Sequence, residues 1–409
     1  MNSLASTLDL ALRNVRRQRG RSAFVVGAVA LGVTALILAG GFIKDTIVEL
    51  GDSIIYAQTG HLQLSRSGYR EAASFDPEAY VIEDTEALRG ELEAEQGVRQ
   101  VLLRLYTAGL AGNGDSDWPV IIEGVEPERE SALGSYINIA AGRRLADSDD
   151  FGVLLGAGVA QALELEPGDW MDVVATTVDG SMNSLEFEVV GTFQTFSKDY
   201  DAVALRLPLA AVQELLGVSG ANVAVVELAD TADTAALATA LGDRFGARGF
   251  AVERWEDLDP FYRQTVELYQ QQFGFLIAVI LLLVVLGVGT AMGMSIHERA
   301  AEFGTLRALG TRDESIRKLI LVESLILGLV GAALGLILGN LLALAISAVG
   351  IPMPPPPNSD LGYLSLIRLS LPVSLLAFGV GALAPLLAAV GPARRSVKMP
   401  IVDALQRGV

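Results

Sequence analysis

A membrane protein with four transmembrane α-helices, and a large mixed α/β extracytoplasmic domain between the first and second, is the fold class this sequence predicts. Three observations lead there. Residues 23–43, 273–294, 319–349 and 371–390 are long apolar runs, and only the third holds an ionisable side chain, Glu323. About 20 predominantly apolar residues are enough to cross a bilayer as a helix. Hydrophobic residues make up 51% of the chain and mean hydropathy is +0.43, yet 19% of residues are charged, as expected of apolar spans joined to a polar domain. Finally, Lys and Arg gather at alternate flanks of the runs. Arg13, Arg16, Arg17, Arg19 and Arg21 precede the first; Arg299, Arg307, Arg312, Arg317 and Lys318 separate the second and third; Arg394, Arg395, Lys398 and Arg407 follow the fourth. The positive-inside bias puts these three segments in the cytoplasm.

In chain order, residues 1–22 form a cytoplasmic segment and 23–43 the first span. One charge at a helix centre costs about 2.5–3.5 kcal/mol on the insertion scale, so the clean break after Arg21 marks the inner edge. A cleaved signal peptide would have an apolar core of about 7–15 residues. This run is longer, and continues as a stripe at helical spacing through Ile43, Ile47, Leu50 and Ile54. Residues 44–272 are the outer domain with helical stalks, 273–294 the second span, 295–318 a cytoplasmic loop and 319–349 the third span. The outer loop 350–370 carries Pro352 and Pro354 to Pro357, which read as a stiff extended spacer rather than a gate. Span 371–390 contains Pro385, expected to kink it, and 391–409 form a cytoplasmic tail.

Within the outer domain, His61 to Ser65 alternates like a half-buried strand, and Val120 to Val125 is β-rich and stops at Glu126-Pro127-Glu128. The spacing predicts a helix over Val153 to Leu165. A turn at Glu166-Pro167-Gly168-Asp169 then leads into a strand from Trp170 to Thr176, and Asp179-Gly180 signals a hairpin with Phe187 to Phe193 returning. Helices are expected over Thr234 to Phe245 and Asp259 to Gln272, the latter running on into Phe273.

Charge and chemistry exclude several classes. Residues 44–272 carry 15 Lys/Arg against 40 Asp/Glu, net −25, and the remainder carries 15 against 8, net +7. So acidic an outer surface repels phosphate backbones, which excludes nucleic acid as a partner; solubility accounts for the acidity without a cation site. With no cysteine there are no disulfides or thiolate sites. The two histidines, His61 and His297, fall on opposite sides of the membrane and have no metal-ligand spacing. None of the lysines, Lys44, Lys198, Lys318 and Lys398, follows a glycine as a P-loop requires, so the chain has no such ATP site. No nucleophile elbow or paired-carboxylate signal stands out. No catalytic residue, cofactor or metal is therefore expected. Gly328, Gly331, Gly335 and Gly339 recur at three and four residues on one face of the third span, where small residues admit a neighbouring helix: the first span or a second copy of such a chain.

The stretch Glu302-Phe303-Gly304-Thr305-Leu306-Arg307-Ala308-Leu309-Gly310, between the second and third spans, resembles the coupling segment of the MacB/LolC/LolE/FtsX group of bacterial ABC transporter permeases. The resemblance continues in Glu123-Gly124-Val125-Glu126-Pro127-Glu128, Ala141-Gly142-Arg143-Arg144-Leu145, Gly168-Asp169, Val189-Val190-Gly191-Thr192-Phe193, Tyr200-Asp201 and Leu207. It ends with Pro392-Ala393-Arg394-Arg395 and Pro400-Ile401-Val402-Asp403-Ala404-Leu405. It covers essentially the whole chain and is closest to the LolC/LolE branch. Ala301 departs from the group, which often has a charged residue there. The resemblance implies a non-catalytic permease of the bacterial inner membrane, with its large domain in the periplasm. Residues 302–310 would touch a separate cytoplasmic ATPase that carries ATP and Mg. A second permease copy or homologue, and a periplasmic carrier or adaptor, complete the partners. ATP hydrolysis by that ATPase would be coupled to movements of the periplasmic domain that release a lipoprotein or other lipid-anchored cargo from the inner membrane. Membrane lipid or lipoprotein would be the partner there, with Ile43, Ile47, Phe273 and Phe275 as candidate contacts. An FtsX-like regulator of a cell-wall hydrolase and a drug or peptide efflux permease are the alternatives.

Overall fold

The structure is a computed structural model that describes residues 3–72, 80–133, 136–354 and 362–397. Pro355 to Pro357, Lys398, Arg407 and the Pro400 to Leu405 signature lie outside them. The chain divides into two compact units, Met1–Ile47 with Val266–Pro352 and Leu364–Val409, and Val48–Thr265 with Met353–Tyr363.

The first unit is helical: α1 (Ser3–Arg17), α2 (Arg19–Ile54), α3 (Pro260–Glu298), α4 (Ala300–Ala308), α5 (Asp313–Val349) and α6 (Leu371–Ser396), of which α2 and α3 run on into the second unit. Helices α2, α3, α5 and α6 are each long and apolar enough to cross a membrane. At 1.5 Å per residue the 36 residues of α2 rise about 54 Å, well beyond a hydrocarbon core of about 30 Å, so the helix extends past the bilayer as the Ile43-to-Ile54 stripe foreshadows. Valines and alanines fill the bundle core, among them Val29, Val33, Val288, Ala332 and Ala388. The glycine row of α5 makes this packing possible. A Cβ on Gly331 would lie 2.8 Å from Val29 Cβ, and one on Gly335 2.6 Å from the Ala30 carbonyl oxygen. Gly339 meets Ile37 of the same helix, whereas Gly328 abuts the Ala382 carbonyl of α6, so the row serves two neighbours. Helix α6 is continuous through Pro385.

Near the outer end of α2, Asp45 is buried and fully engaged. It accepts from Ser365 Oγ at 3.0 Å, the Leu366 N–H at 2.6 Å and Arg368 Nε at 2.8 Å. These bonds fix the segment leading into α6 against α2. Within the loop ahead of it, Ile351–Met353 pairs with Tyr363–Ser365.

The second unit holds a sheet of ten strands among the described residues: β1 (Leu62–Arg66), β2 (Val98–Gly112), β3 (Asp117–Val125), β4 (Asn138–Gly142), β5 (Gly152–Gly156), β6 (Trp170–Thr176), β7 (Met182–Gln194), β8 (Ala204–Pro208), β9 (Val223–Leu228) and β10 (Phe250–Arg254). Their order is β10-β1-β9-β2-β3-β8-β5-β7-β4, with β6 pairing β2 and β7. The β3–β8 and β5–β7 pairs are parallel, so the sheet is mixed. Helices Ala157–Leu163 and Leu209–Leu216 bury their apolar faces in one core, and Thr85–Glu93 and Thr234–Gly246 in another.

The strands anticipated at His61, Val120, Trp170 and Phe187 are present, and Gly180 (φ +79°) turns the β6–β7 hairpin. The stretch Val153 to Leu165 is a correction. Its first part is strand β5, and helix starts only at Ala157. A continuous apolar run suits a strand buried on both faces as well as a helix, and all five residues of β5 are buried between β7 and β8.

Candidate coupling site

Helix α4 holds the Glu302-to-Ala308 part of the candidate coupling segment. Its charges suit the helix dipole, with Glu302 in the first turn and Arg307 in the last. Gly310 ends the segment at φ +87°, a conformation that costs glycine little, and its N–H donates to the Arg307 carbonyl at 3.0 Å. Arg307 Nε then reaches Asp313 Oδ1 at 3.0 Å, pinning the end of α4 to the start of α5.

One face of α4 turns inward. Phe303 and Gly304 are buried, and the Arg299 guanidinium lies 4.9 Å from the Phe303 ring centroid. Arg299 Nη1 donates to both oxygens of Glu323 at 3.1 and 3.0 Å, and its Nε donates to Glu302 at 3.0 Å. Helix α1 completes the set: Asn14 Nδ2 donates to Glu323 at 2.6 Å and Arg17 pairs with Glu302. Burial pushes the Glu302 carboxyl up, but the hydrogen bonds from Arg17 and Arg299 outweigh it and hold it below the usual range. Glu323, at 1% exposure the one ionisable residue of its apolar run, is thus paired inside the bundle.

The other face turns outward. Thr305, Leu306, Ala308, Leu309 and Gly310 are exposed, Leu309 to 79%, and Arg312, Arg317 and Lys318 are exposed close by in sequence. The candidate residues therefore separate. Glu302, Phe303 and Gly304 lie on the inward side, while Leu306 and Leu309 are exposed apolar side chains shortly before basic ones in sequence. Sequence reasoning missed Asn14 and Arg17, because α1 looks like a mere charged flank. The available signal was the lone Glu323, since a carboxylate inside an apolar span needs a partner.

The candidate cargo contacts are also divided. A Cβ on Gly40 would lie 2.8 Å from Phe273 Cζ, so that ring packs on α2, whereas Phe275 projects outward at 74% exposure. Ile43 and Ile47 are half-buried. Among the described residues, no group of His, Cys, Asp and Glu could hold a metal.

Comparison with known proteins covers most of the chain. Residues 22–244 match the MacB-like periplasmic core domain, and residues 274–401 the FtsX-like permease C-terminal domain. An uncharacterized ABC transporter permease of Methanocaldococcus jannaschii is 24% identical over 98% of this chain and 97% of its own. The lipoprotein-releasing system transmembrane protein LolC of Neisseria meningitidis is 24% identical over 84% of this chain and 82% of its own. The macrolide export ATP-binding/permease protein MacB of Hyphomonas neptunium is 24% identical over 85% of this chain, but the match covers only 54% of that protein.

Proposed function

This chain belongs to the family of ABC transporter permeases that join a MacB-like periplasmic core domain to an FtsX-like permease C-terminal part, and from that premise we propose that it is the non-catalytic permease of an ATP-driven machine powered by a separate ATPase. ATP closure of that ATPase displaces α4. The movement passes along α2 and α3 to the outer domain, which expels cargo instead of opening a membrane pore. Two permeases pair over two ATPases in the inner membrane. The observation that carries this reading is the two-faced α4: an inner face tied by ion pairs to α1 and α5, and an outer face offering Leu306 and Leu309. A helix with this division takes a push on one side and delivers it to the bundle on the other.

Leu309→Glu places a charge on the exposed tip and touches none of the internal pairs. It should lower ATPase co-purification at least tenfold while the chain still inserts. Unchanged complex yield and unchanged stimulation of ATP hydrolysis would sink the coupling role of α4.

For cargo, we infer a lipid-anchored protein lifted from the outer leaflet, on the similarity to LolC. Each methylene of an acyl chain needs about 0.8 kcal/mol of apolar cover, for which the outward-facing Phe275 is available. Efflux has matching support at the same identity from MacB. A photo-crosslinker at Phe275 separates the two readings: acylated protein captured before ATP and released after it supports the first, and capture of no acylated species refutes it.

A further inference from the structure

The outer end of α2 does not finish as an ordinary helix. Its final turn, Ile55–Thr59, is π-helical, and the Gly60 N–H donates to the Ile55 carbonyl at 2.8 Å. Gly60 sits at φ +64°, and a Cβ there would lie 2.2 Å from Val225 Cγ1, so the chain leaves the helix directly against β9. The last carbonyls of a helix lack internal partners and form the negative end of its dipole. Two of them are taken by arginines of the sheet. Arg206 on β8 donates from Nη2 to the Ala57 carbonyl at 2.8 Å, and Arg104 on β2 donates from Nη1 to the Gln58 carbonyl.

Each arginine is aimed by fixed partners. Arg104 donates from Nε and Nη2 to the two oxygens of Glu130 at 2.5 and 3.0 Å. Arg206 Nε donates to Glu123 at 3.0 Å, and the Tyr200 hydroxyl donates to the same carboxylate at 2.8 Å. All four charged side chains are buried. Burial opposes the charge on Arg104 and Glu130, and each outweighs it for the other, so Arg104 stays above and Glu130 below its ordinary value. Apolar residues often stabilise such a site as well as buried ion pairs do. What a guanidinium adds is direction, because its rigid fork fixes the angle and the distance of whatever it holds. Here it holds backbone carbonyls at a π-turn, a feature that recurs at functional positions.

We propose that Arg104 and Arg206 are positioning residues that make the end of α2 and the sheet move as one, so that displacement of α2 enters the outer domain through two carbonyl hydrogen bonds. This rests on the reading above that α2 moves during the ATPase cycle.

The test uses the full chain in complex with its ATPase, with spin labels at Val48→Cys on α2 and Val178→Cys at the β6–β7 turn; the protein has no other cysteine. In the parent complex the label distance should be narrow and identical with and without ATP plus vanadate. In Arg206→Met, and in Arg206→Lys should the first fail to fold, it should become nucleotide-dependent. Cargo release should then fall at least tenfold, with ATP hydrolysis within twofold of the parent. A narrow, unchanged distance in a folded variant overturns the joint. A broad distance that ignores nucleotide shows a joint on a helix that does not move, which overturns the functional reading and leaves the clamp a static anchor.

Discussion

Removing either partner of the Arg299–Glu323 pair should destabilise the helical unit severely, while removing both should cost clearly less than the sum of the two. Arg299 donates two hydrogen bonds to the Glu323 carboxylate at 3.1 and 3.0 Å, with side-chain exposures of 7% and 1%. At an effective dielectric constant of about 20, two charges roughly 4 Å apart attract by about 4 kcal/mol. Glu323→Leu leaves Arg299 buried without that partner. It also strands Asn14 and removes a carboxylate that attracts Arg21, whose guanidinium nitrogens are buried without a hydrogen-bond partner among the described residues. Breaking a buried pair on one side typically costs about 3–5 kcal/mol, whereas replacing both members with apolar groups is often close to neutral. Arg299→Met should cost a similar amount, although Glu302 keeps Arg17. The double variant should then recover about 3 kcal/mol relative to the sum of the singles, or about two orders of magnitude in the unfolding equilibrium. Reversible unfolding in mixed micelles, followed by a dye at Thr311→Cys, measures all four corners of the cycle. Additive single costs, or singles below about 1 kcal/mol, would refute the claim that this pair organises the bundle under α4.

Gly335→Val should destabilise by about 1–3 kcal/mol in the same assay, since its Cβ would meet the Ala30 carbonyl at 2.6 Å, whereas Gly287→Val, with nothing within 4 Å of its Cβ, should be neutral. The outer domain should lose stability in acid through His61. Burial lowers this imidazole from 6.5 to about 4, and its Nδ1 accepts the Leu228 N–H at 3.2 Å, so the folded ring is neutral. Between these values the unfolded chain binds the extra proton; the stabilisation is complete above pH 6.5 and lost as pH falls to about 4, amounting to at most about 3 kcal/mol and less where solvent screens the ring. His61→Gln should flatten that part of the pH profile in chemical denaturation, and an unchanged slope would remove His61 as its cause.

The spans were legible because a bilayer imposes a length and a polarity that single residues report directly. Trp170 to Thr176 and its hairpin were legible for a similar reason: alternation and Asp179-Gly180 are local signals. Strands β8 and β9 were not, since both are buried along their whole length and carry no alternation to read. Of the candidate coupling site, the sequence marked out the segment but not its two faces. Whether Glu302 points toward solvent or toward Arg17 depends on α1, which lies 285 residues earlier in the chain. The ion pairs of Glu123 and Glu130 were not legible for the same reason. Their arginines arrive from β2 and β8, and no spacing in the sequence announces a pair made across a sheet.

These long-range polar contacts impose a directional constraint that apolar packing cannot supply. Along the bundle, α2 is held by the glycine row of α5, where close approach fixes the distance between helices but leaves weak directional preference along the axis. A rod held only in that way tolerates sliding and rotation. Asp45 supplies a fixed point, since its three hydrogen bonds to the segment of Ser365 to Arg368 are satisfied in a single register. The carbonyls of Ala57 and Gln58 supply another at the π-turn. Movement of α2 relative to either partner must therefore break charge-assisted bonds, each worth about 1.5–3 kcal/mol, before it can dissipate as slip. Polar contacts toward the outer end of α2 thus resist its slip against the sheet and against the segment leading into α6.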